Sequence, residues 1–295
     1  MTSGTPAAEV HIDAELVRAL LREQHADLAA LPLSPMESGW DNMMFRLGEK
    51  FAVRLPRRAA SAALIESEQR WLAVLANRLP LPVPAPVRIG APALGYPWSW
   101  SIVKWLPGAA ADLSRLSADQ ANVLAQFLRA LHTPAPQDAP RNPMRGVPLQ
   151  QRADVVSERM ARLQNKTGWP GETIRRKWAD ALRAPVGVEA TWIHGDLHAR
   201  NVLVDAGRLS GVIDWGDLAQ GDRATDLACV WMLLPELSMR RATISALGEI
   251  SQAAWRRARG WAIFFGVTLL ETGLVNDSRN AVLGERILAR IVAGP

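Results

Sequence analysis

The chain has 295 residues, of which 48% are hydrophobic and 21% charged, as in a folded globular protein rather than a disordered one. The net charge is +5, but the arginines are scattered and form no basic run, so we expect no nucleic-acid partner. Cys229 is the only cysteine, which excludes an intrachain disulfide and is typical of a reducing cytoplasm.

The first third of the chain predicts two helices and two strand pairs. Apolar residues recur at helical spacing after Asp13, which is placed to cap a helix over residues 13–27. Two runs of alternating apolar and polar residues, separated by a glycine-containing turn, predict a hairpin over residues 44–55. A helix over residues 61–78 and strands near residues 87–89 and 99–105 follow. The strands end at a Pro-Gly pair, residues 107–108, where we expect a lobe boundary.

The remaining two thirds predict mostly helices. An amphipathic helix is expected over residues 118–132, a loop rich in Pro and Arg over 134–150, and further helices over 151–184 and after 226. The segment Trp261–Leu270 is apolar but shorter than the ~20 residues of a membrane span, so it predicts a buried helix and no membrane partner. The order predicts a two-lobed α+β fold, with a nucleotide-binding lobe over 1–106 and a helical catalytic lobe over 107–295.

Two motifs near residue 200 carry the chemistry. Residues 194–201 read HGDLHARN, and an Ile-Asp-Trp sequence follows at 213–215 after an apolar strand pair. Phosphoryl transfer needs a carboxylate to accept the proton of the attacking hydroxyl, and oxygen ligands to hold Mg²⁺ against nucleotide phosphates. The spacing favours Asp196 as the base and Asn201 and Asp214 as metal ligands. The alternative is a loop in which Asp and Asn only cap turns.

These segments resemble the aminoglycoside phosphotransferases, a family with a protein-kinase-like fold that includes macrolide phosphotransferases. HGDLHARN resembles the family's catalytic loop and VIDWGD its metal-binding loop. SGWDNMMFRLGEKFAVRLPRR, ESEQRWLAVLANRLPLPVPAPV and GYPWSWSIVKWLPG resemble its first hairpin, next helix and hinge strand. The resemblance implies an O-phosphotransferase that uses Mg²⁺ and ATP or GTP, with His194 next to the base and bracing its loop.

The resemblance also implies a nucleotide site in the first lobe. Its residues are Ser38, Gly39 and Asn42 in the phosphate loop, Arg54 and Glu68 as a cation with its helix partner, and Lys104, Trp105 and Leu106 in the hinge. Arg54 stands where kinase-like enzymes carry a phosphate-binding lysine. Glu66 is the rival partner for Arg54.

The resemblance implies that the acceptor is an aminoglycoside- or macrolide-like antibiotic or a related metabolite. A neutral or mildly cationic acceptor is favoured, because residues 151–184 contain 8 Lys and Arg against 4 Asp and Glu. Asp217 and Glu271 are the candidate acceptor contacts, and Asp222 is a further local carboxylate. A nucleotide-binding regulatory protein without turnover is the alternative function. A monomer or homodimer is expected.

Overall fold

The computed structural model describes residues 7–36, 39–167, 169, 171–187 and 189–294. Its contacts divide the chain into two compact units. The N-terminal unit consists of the described residues up to Arg78 together with Pro82–Leu106. The C-terminal unit consists of Leu79–Leu81 and the described residues from Pro107 onward.

The N-terminal unit is a five-stranded antiparallel sheet with two helices. The strand order is β1-β2-β3-β5-β4. The elements are α1 (Ala14–Gln24), β1 (Leu33–Pro35), β2 (Asn42–Leu47), β3 (Phe51–Pro56), α2 (Ala59–Ala76), β4 (Pro86–Gly90) and β5 (Trp100–Lys104). Both predicted helices, the hairpin and the second strand pair are therefore confirmed, with small changes at their ends.

Local sequence explains how the N-terminal unit begins. The Asp13 carboxylate accepts a hydrogen bond from the Leu16 amide at 2.8 Å, which satisfies a donor that the first helical turn leaves without a partner. The apolar face of α1 is fully buried and belongs to the same core as Phe45 of β2 and Ile102 of β5. This core supports the face of the sheet, so that β3 and its cationic residue have a fixed position.

The C-terminal unit is mainly helical with two small sheets. Its strands are β6 (Ala109–Ala110), β7 (Thr191–Ile193), β8 (Val202–Asp205), β9 (Arg208–Val212) and β10 (Ala219–Gly221). Its helices are α3 (Gln120–Leu131), α4 (Ala153–Thr167), α5 (Glu172–Leu182), α6 (Ala224–Leu227), α7 (Cys229–Leu233), α8 (Leu237–Leu247), α9 (Gln252–Asn276) and α10 (Ser278–Ala293), with a 3₁₀ turn at Leu149–Arg152. One sheet has the order β6-β8-β9, and β10 pairs with β7.

The apolar segment Trp261–Leu270 belongs to a longer helix than the sequence predicts. Helix α9 continues past Glu271 to Asn276 and has 25 residues. Among the described residues it is the one helix whose length and apolar composition would suffice to cross a membrane, and 61% of its most apolar stretch is buried within the protein. The prediction that this segment is too short was therefore wrong, while the prediction that it is a buried helix is confirmed.

Candidate active site

The loop between β7 and β8 brings the first motif into one compact cluster. The Asn201 side-chain nitrogen donates to the Asp196 backbone oxygen at 2.9 Å and to its Oδ2 at 3.2 Å. Two turns shape the loop, since the His198 amide donates to the Asp196 backbone oxygen and the Asn201 amide to that of His198. The five-residue spacing therefore places the carboxylate and the amide side by side.

Asp226 and His194 hold the backbone of this loop in place through hydrogen bonds. The fully buried Asp226 carboxylate accepts from the backbone amides of His194 at 2.8 Å and Gly195 at 2.9 Å. The His194 ring is also fully buried, and its Nε2 lies 3.0 Å from the Ile213 oxygen while its Nδ1 accepts from the Asp196 amide at 3.2 Å. Both ring nitrogens are thus engaged with the backbone, which is the bracing contact that the sequence predicts for His194.

Asp214 follows β9 in a conformation that L-residues rarely adopt. Its φ is 62°, in the left-handed region, and its side chain is exposed. The amide of its neighbour Ile213 donates to the Asn201 backbone oxygen at 2.9 Å, which ties the backbone before Asp214 to the loop of residues 194–201. Strained residues of this kind concentrate at functional sites.

The donor chemistry fits a magnesium ion. The amide nitrogen of Asn201 is directed to Asp196, so its Oδ1 is the atom that remains for a cation. Asp214 adds an exposed carboxylate, and Mg²⁺ prefers such oxygen donors and completes its shell with water and substrate phosphates. No group of three or more His, Cys, Asp or Glu side chains within the described ranges is arranged to hold a metal.

Electrostatics favour Asp196 as a charged base. Burial would raise its pKa, but the neighbouring charges of His198 and Arg145 outweigh burial and keep the pKa of Asp196 below its ordinary value. Burial lowers the pKa of His198 although Asp196 lies 3.4 Å from its Nε2. His198 therefore loses its proton at a lower pH than an ordinary histidine, whereas Arg145 keeps its charge.

Arg145 is a site residue that the sequence analysis missed. Its Nη2 lies 3.7 Å from Asp196 Oδ1 and its Nε lies 3.5 Å from Asp217 Oδ2. Asn142 also donates to Asp217, at 2.6 Å. Both residues lie in the segment treated as a Pro- and Arg-rich loop, and no local pattern indicates that it packs against a motif more than 50 residues later.

Asp217 lies near Asp196, with Arg145 beside both carboxylates. Burial and the negative charge of Asp196 raise its pKa, although Arg145 and the Asn142 hydrogen bond oppose that change. The backbone at Gly195, next to Asp196, approaches Asp217 closely. A Cβ on Gly195 would lie 2.7 Å from the Asp217 backbone oxygen, and the φ of Gly195 is +87°. Only glycine fits this position without strain.

In the N-terminal unit the partner of Arg54 is Glu68. Both Arg54 Nη atoms donate to the Glu68 carboxylate, Nη2 at 3.0 Å, and the two side chains are only 7% and 5% exposed. Glu66 is exposed and lies at 3.5 Å from the Ser99 hydroxyl. The rival pairing with Glu66 is therefore wrong as a description of this structure.

The predicted phosphate loop is described in part, since Ser38 lies outside the described residues. The Gly39 amide donates to the Asn42 oxygen at 3.0 Å, which closes a turn before β2. Between them, the Asp41 carboxylate accepts from Arg58 at 2.9 Å and from Ser61 at 2.8 Å. The loop is thus fastened to the start of α2.

The predicted hinge residues lie at the end of β5 and directly after it. The Trp105 amide donates to the Lys50 oxygen at 2.8 Å, and the Arg46 guanidinium lies 4.0 Å from the centre of the Trp105 ring. Lys104 is exposed and Leu106 is half-buried. Trp105 itself is 37% exposed, so it is not the core residue that most tryptophans are.

The second candidate acceptor contact, Glu271, lies on α9. Its carboxylate accepts from Arg159 and Arg162, both on α4. The structure therefore gives this carboxylate two cationic partners within the protein.

The chain matches a family of known proteins in sequence and a solved structure in fold. A model of the phosphotransferase enzyme family matches residues 32–261. The solved GDP complex of wild-type aminoglycoside 2'-phosphotransferase-IIIa aligns with a TM-score of 0.69 and 18% identity over 96% of this chain and 99% of that chain. The predicted two-lobed, kinase-like α+β fold is thereby confirmed.

Relatives of known activity act on different acceptors. An aminoglycoside 3'-phosphotransferase of Streptomyces fradiae is 30% identical over 61% of this chain and 67% of that protein. One from Escherichia coli is 28% identical, and the match spans about half of its length, 54%. Thiamine kinase of Shigella boydii serotype 4 (strain Sb227) is 27% identical over 78% of this chain and 77% of the enzyme.

Proposed function

The chain belongs to the phosphotransferase enzyme family, and from this premise we propose that it moves the terminal phosphoryl group of ATP or GTP to a hydroxyl of a small molecule. The observation that carries this proposal is the hydrogen-bonded pair of Asp196 and Asn201 in one braced loop, to which the residue before Asp214 is bonded through its backbone amide. Small-molecule phosphotransferase activity is common to the aminoglycoside and thiamine relatives, whose acceptors differ. The identity of the acceptor therefore depends on this chain's own residues.

In the proposed reaction Asp196 orients the acceptor hydroxyl and takes its proton as the oxygen–phosphorus bond forms. The bond between the terminal phosphorus and the bridging oxygen breaks, and the nucleoside diphosphate leaves. Asp196 is a carboxylate at pH 7, because its pKa lies below the ordinary value of an aspartate, and it can therefore accept the hydroxyl proton. His194 holds the loop and transfers no proton, since both of its ring nitrogens contact the backbone.

We assign the metal to Asn201 and Asp214, where Mg²⁺ would neutralise charge on the nucleotide phosphates. Arg54, held by Glu68, is the proposed phosphate-binding cation of the N-terminal unit. The loop at Gly39 and Asn42 and the hinge residues Lys104–Leu106 are the other proposed nucleotide contacts of the N-terminal unit. The loop would offer backbone amides to the phosphates, and the hinge would offer backbone groups to the purine ring of the nucleotide.

The proposal is tested by measuring ADP and GDP release with Mg²⁺ across aminoglycosides, macrolides, thiamine and other hydroxylated metabolites. Asp196→Asn should lower acceptor-dependent release by about 10²–10⁴-fold, the usual contribution of a general base. Asp205→Asn is the matched control, because Asp205 is an exposed carboxylate at the end of β8, and it should leave release unchanged.

Three outcomes separate the candidate functions. Acceptor-dependent release that the Asp196 variant abolishes supports the kinase. Nucleotide binding without release for any acceptor would favour the nucleotide-binding regulatory protein. A chain that binds neither ATP nor GTP in the presence of Mg²⁺ would refute both.

A further inference from the structure

Every carboxylate that the sequence offers as a contact for a cationic acceptor already has an arginine partner. The pairs are Asp217 with Arg145, Asp222 with Arg257 at 2.6 Å, and Glu271 with Arg159 and Arg162. All of these residues lie in the C-terminal unit. An ammonium group of an acceptor would therefore meet carboxylates whose negative charge an arginine already offsets, and it would be repelled by the guanidinium beside each of them.

Arg145 differs from the other arginines because it also faces the proposed base. Its guanidinium lies 3.7 Å from Asp196 and 3.5 Å from Asp217, so one positive charge serves both carboxylates. The rings of Phe264 and Phe265 lie 5.3 and 4.8 Å from the same guanidinium. The aromatic faces and the two carboxylates together fix the cation beside the reacting position.

The backbone that carries Arg145 is anchored on both sides. The Asn142 side chain accepts from the Arg145 amide at 3.1 Å, and the next amide, that of Gly146, donates to the Thr225 hydroxyl at 3.2 Å. The Asp222 amide donates to the Gly146 oxygen at 2.9 Å. The position of Arg145 is therefore a built feature of the site.

We propose that Arg145 selects the acceptor by charge, and that the acceptor is an uncharged, oxygen-rich alcohol with no ammonium group beside the reacting hydroxyl. The inference rests on the proposed function. Both contacts of Arg145 with the carboxylates are longer than hydrogen bonds, so neither carboxylate takes up its donors. Its Nε is buried without a hydrogen-bond partner among the described residues, and the terminal Nη groups are the donors that an acceptor oxygen would meet. The guanidinium therefore keeps donors for acceptor oxygens, and it repels ammonium groups.

The test uses calorimetric binding of two probes that share hydroxyls and differ in charge, kanamycin and its fully N-acetylated form, without nucleotide and at low salt. Wild-type protein should bind kanamycin more weakly than the N-acetylated form. Arg145→Gln exposes two uncompensated carboxylates, so it should shift the ratio of the two affinities toward kanamycin by roughly tenfold or more. Arg145→Lys keeps the charge and should retain the wild-type preference.

Arg183→Gln is the control, because it removes the same charge from an exposed arginine that lies 3.9 Å from Asp180. It should change the ratio by less than about twofold, since a remote surface charge is screened. The proposal is overturned if Arg145→Gln does not bind kanamycin or binds it with the same affinity as wild type. It is also overturned if wild-type protein binds kanamycin more tightly than the N-acetylated form. Thermal unfolding of each variant separates these outcomes from loss of the fold. Since no nucleotide is present, the result is independent of whether the chain transfers phosphate.

Discussion

Replacing Glu68 with Gln tests the buried pair on which the proposed nucleotide site depends. The substitution keeps the size of the side chain but leaves the Arg54 guanidinium buried without its counter-charge. Both side chains are at most 7% exposed, so little solvent can reach the orphaned cation. Removing one partner of a buried ion pair costs about 3–5 kcal/mol, and we expect Glu68→Gln to lower the free energy of unfolding by this amount.

Urea unfolding followed by circular dichroism measures this change, and two further variants sharpen it. Glu66→Gln makes the same chemical change two residues away on an exposed side chain, so its effect should stay within about 0.5 kcal/mol. The double variant Arg54→Met/Glu68→Leu replaces the pair with apolar groups and should recover stability to within about 1 kcal/mol of wild type. It should nevertheless lose nucleotide affinity, because the phosphate-binding cation is gone.

A Glu68→Gln protein as stable as Glu66→Gln would refute the argument that burial makes the unpaired guanidinium costly. Nucleotide affinity in the double variant equal to that of wild type would refute a phosphate-binding role for Arg54. The two results are independent, so the structural pair and its proposed function can fail separately.

Three further predictions concern the catalytic loop. Asp226→Asn removes the charged acceptor of two loop amides, so it should lower the free energy of unfolding by about 1–3 kcal/mol, measured by urea unfolding. In steady-state kinetics it should reduce kcat more than it changes KM. A variant with unchanged stability and unchanged kcat would contradict the bracing role. Gly195→Ala places a Cβ 2.7 Å from the Asp217 oxygen at a φ of +87°, so it should lower stability by more than about 1 kcal/mol, whereas Ala at the exposed Gly171, where a Cβ meets nothing within 4 Å, should not. Burial lowers the pKa of His198, so the unfolded chain binds a proton near pH 6.5 before the folded protein does, and stability falls as the pH drops below about 6.5. His198→Gln should lose less stability than wild type between pH 7.5 and 5.5 in thermal unfolding scans, and an equal loss would show that this histidine does not titrate as described.

Local patterns were sufficient to predict the elements of the N-terminal unit and the loop that holds Asp196 next to Asn201. Asp13 caps α1, and the alternation in residues 44–55 forms the β2–β3 hairpin, because caps and strand periodicity depend on neighbouring residues. The spacing from Asp196 to Asn201 likewise lies within one loop, so it could be interpreted without the tertiary structure. Local patterns also underestimated α9, because a single charge at Glu271 does not end a helix.

The amino-acid sequence by itself determined the fold class, and it located the loop in which Asp196 and Asn201 lie side by side. Only the tertiary structure decided that Arg54 pairs with Glu68 rather than Glu66, and that Arg145 faces Asp196 and Asp217. The physical reason is that these contacts depend on which helix face is buried and on chain segments more than 50 residues apart. A count of charges shows how many carboxylates a lobe contains, whereas three-dimensional packing determines which of them an arginine has already neutralised.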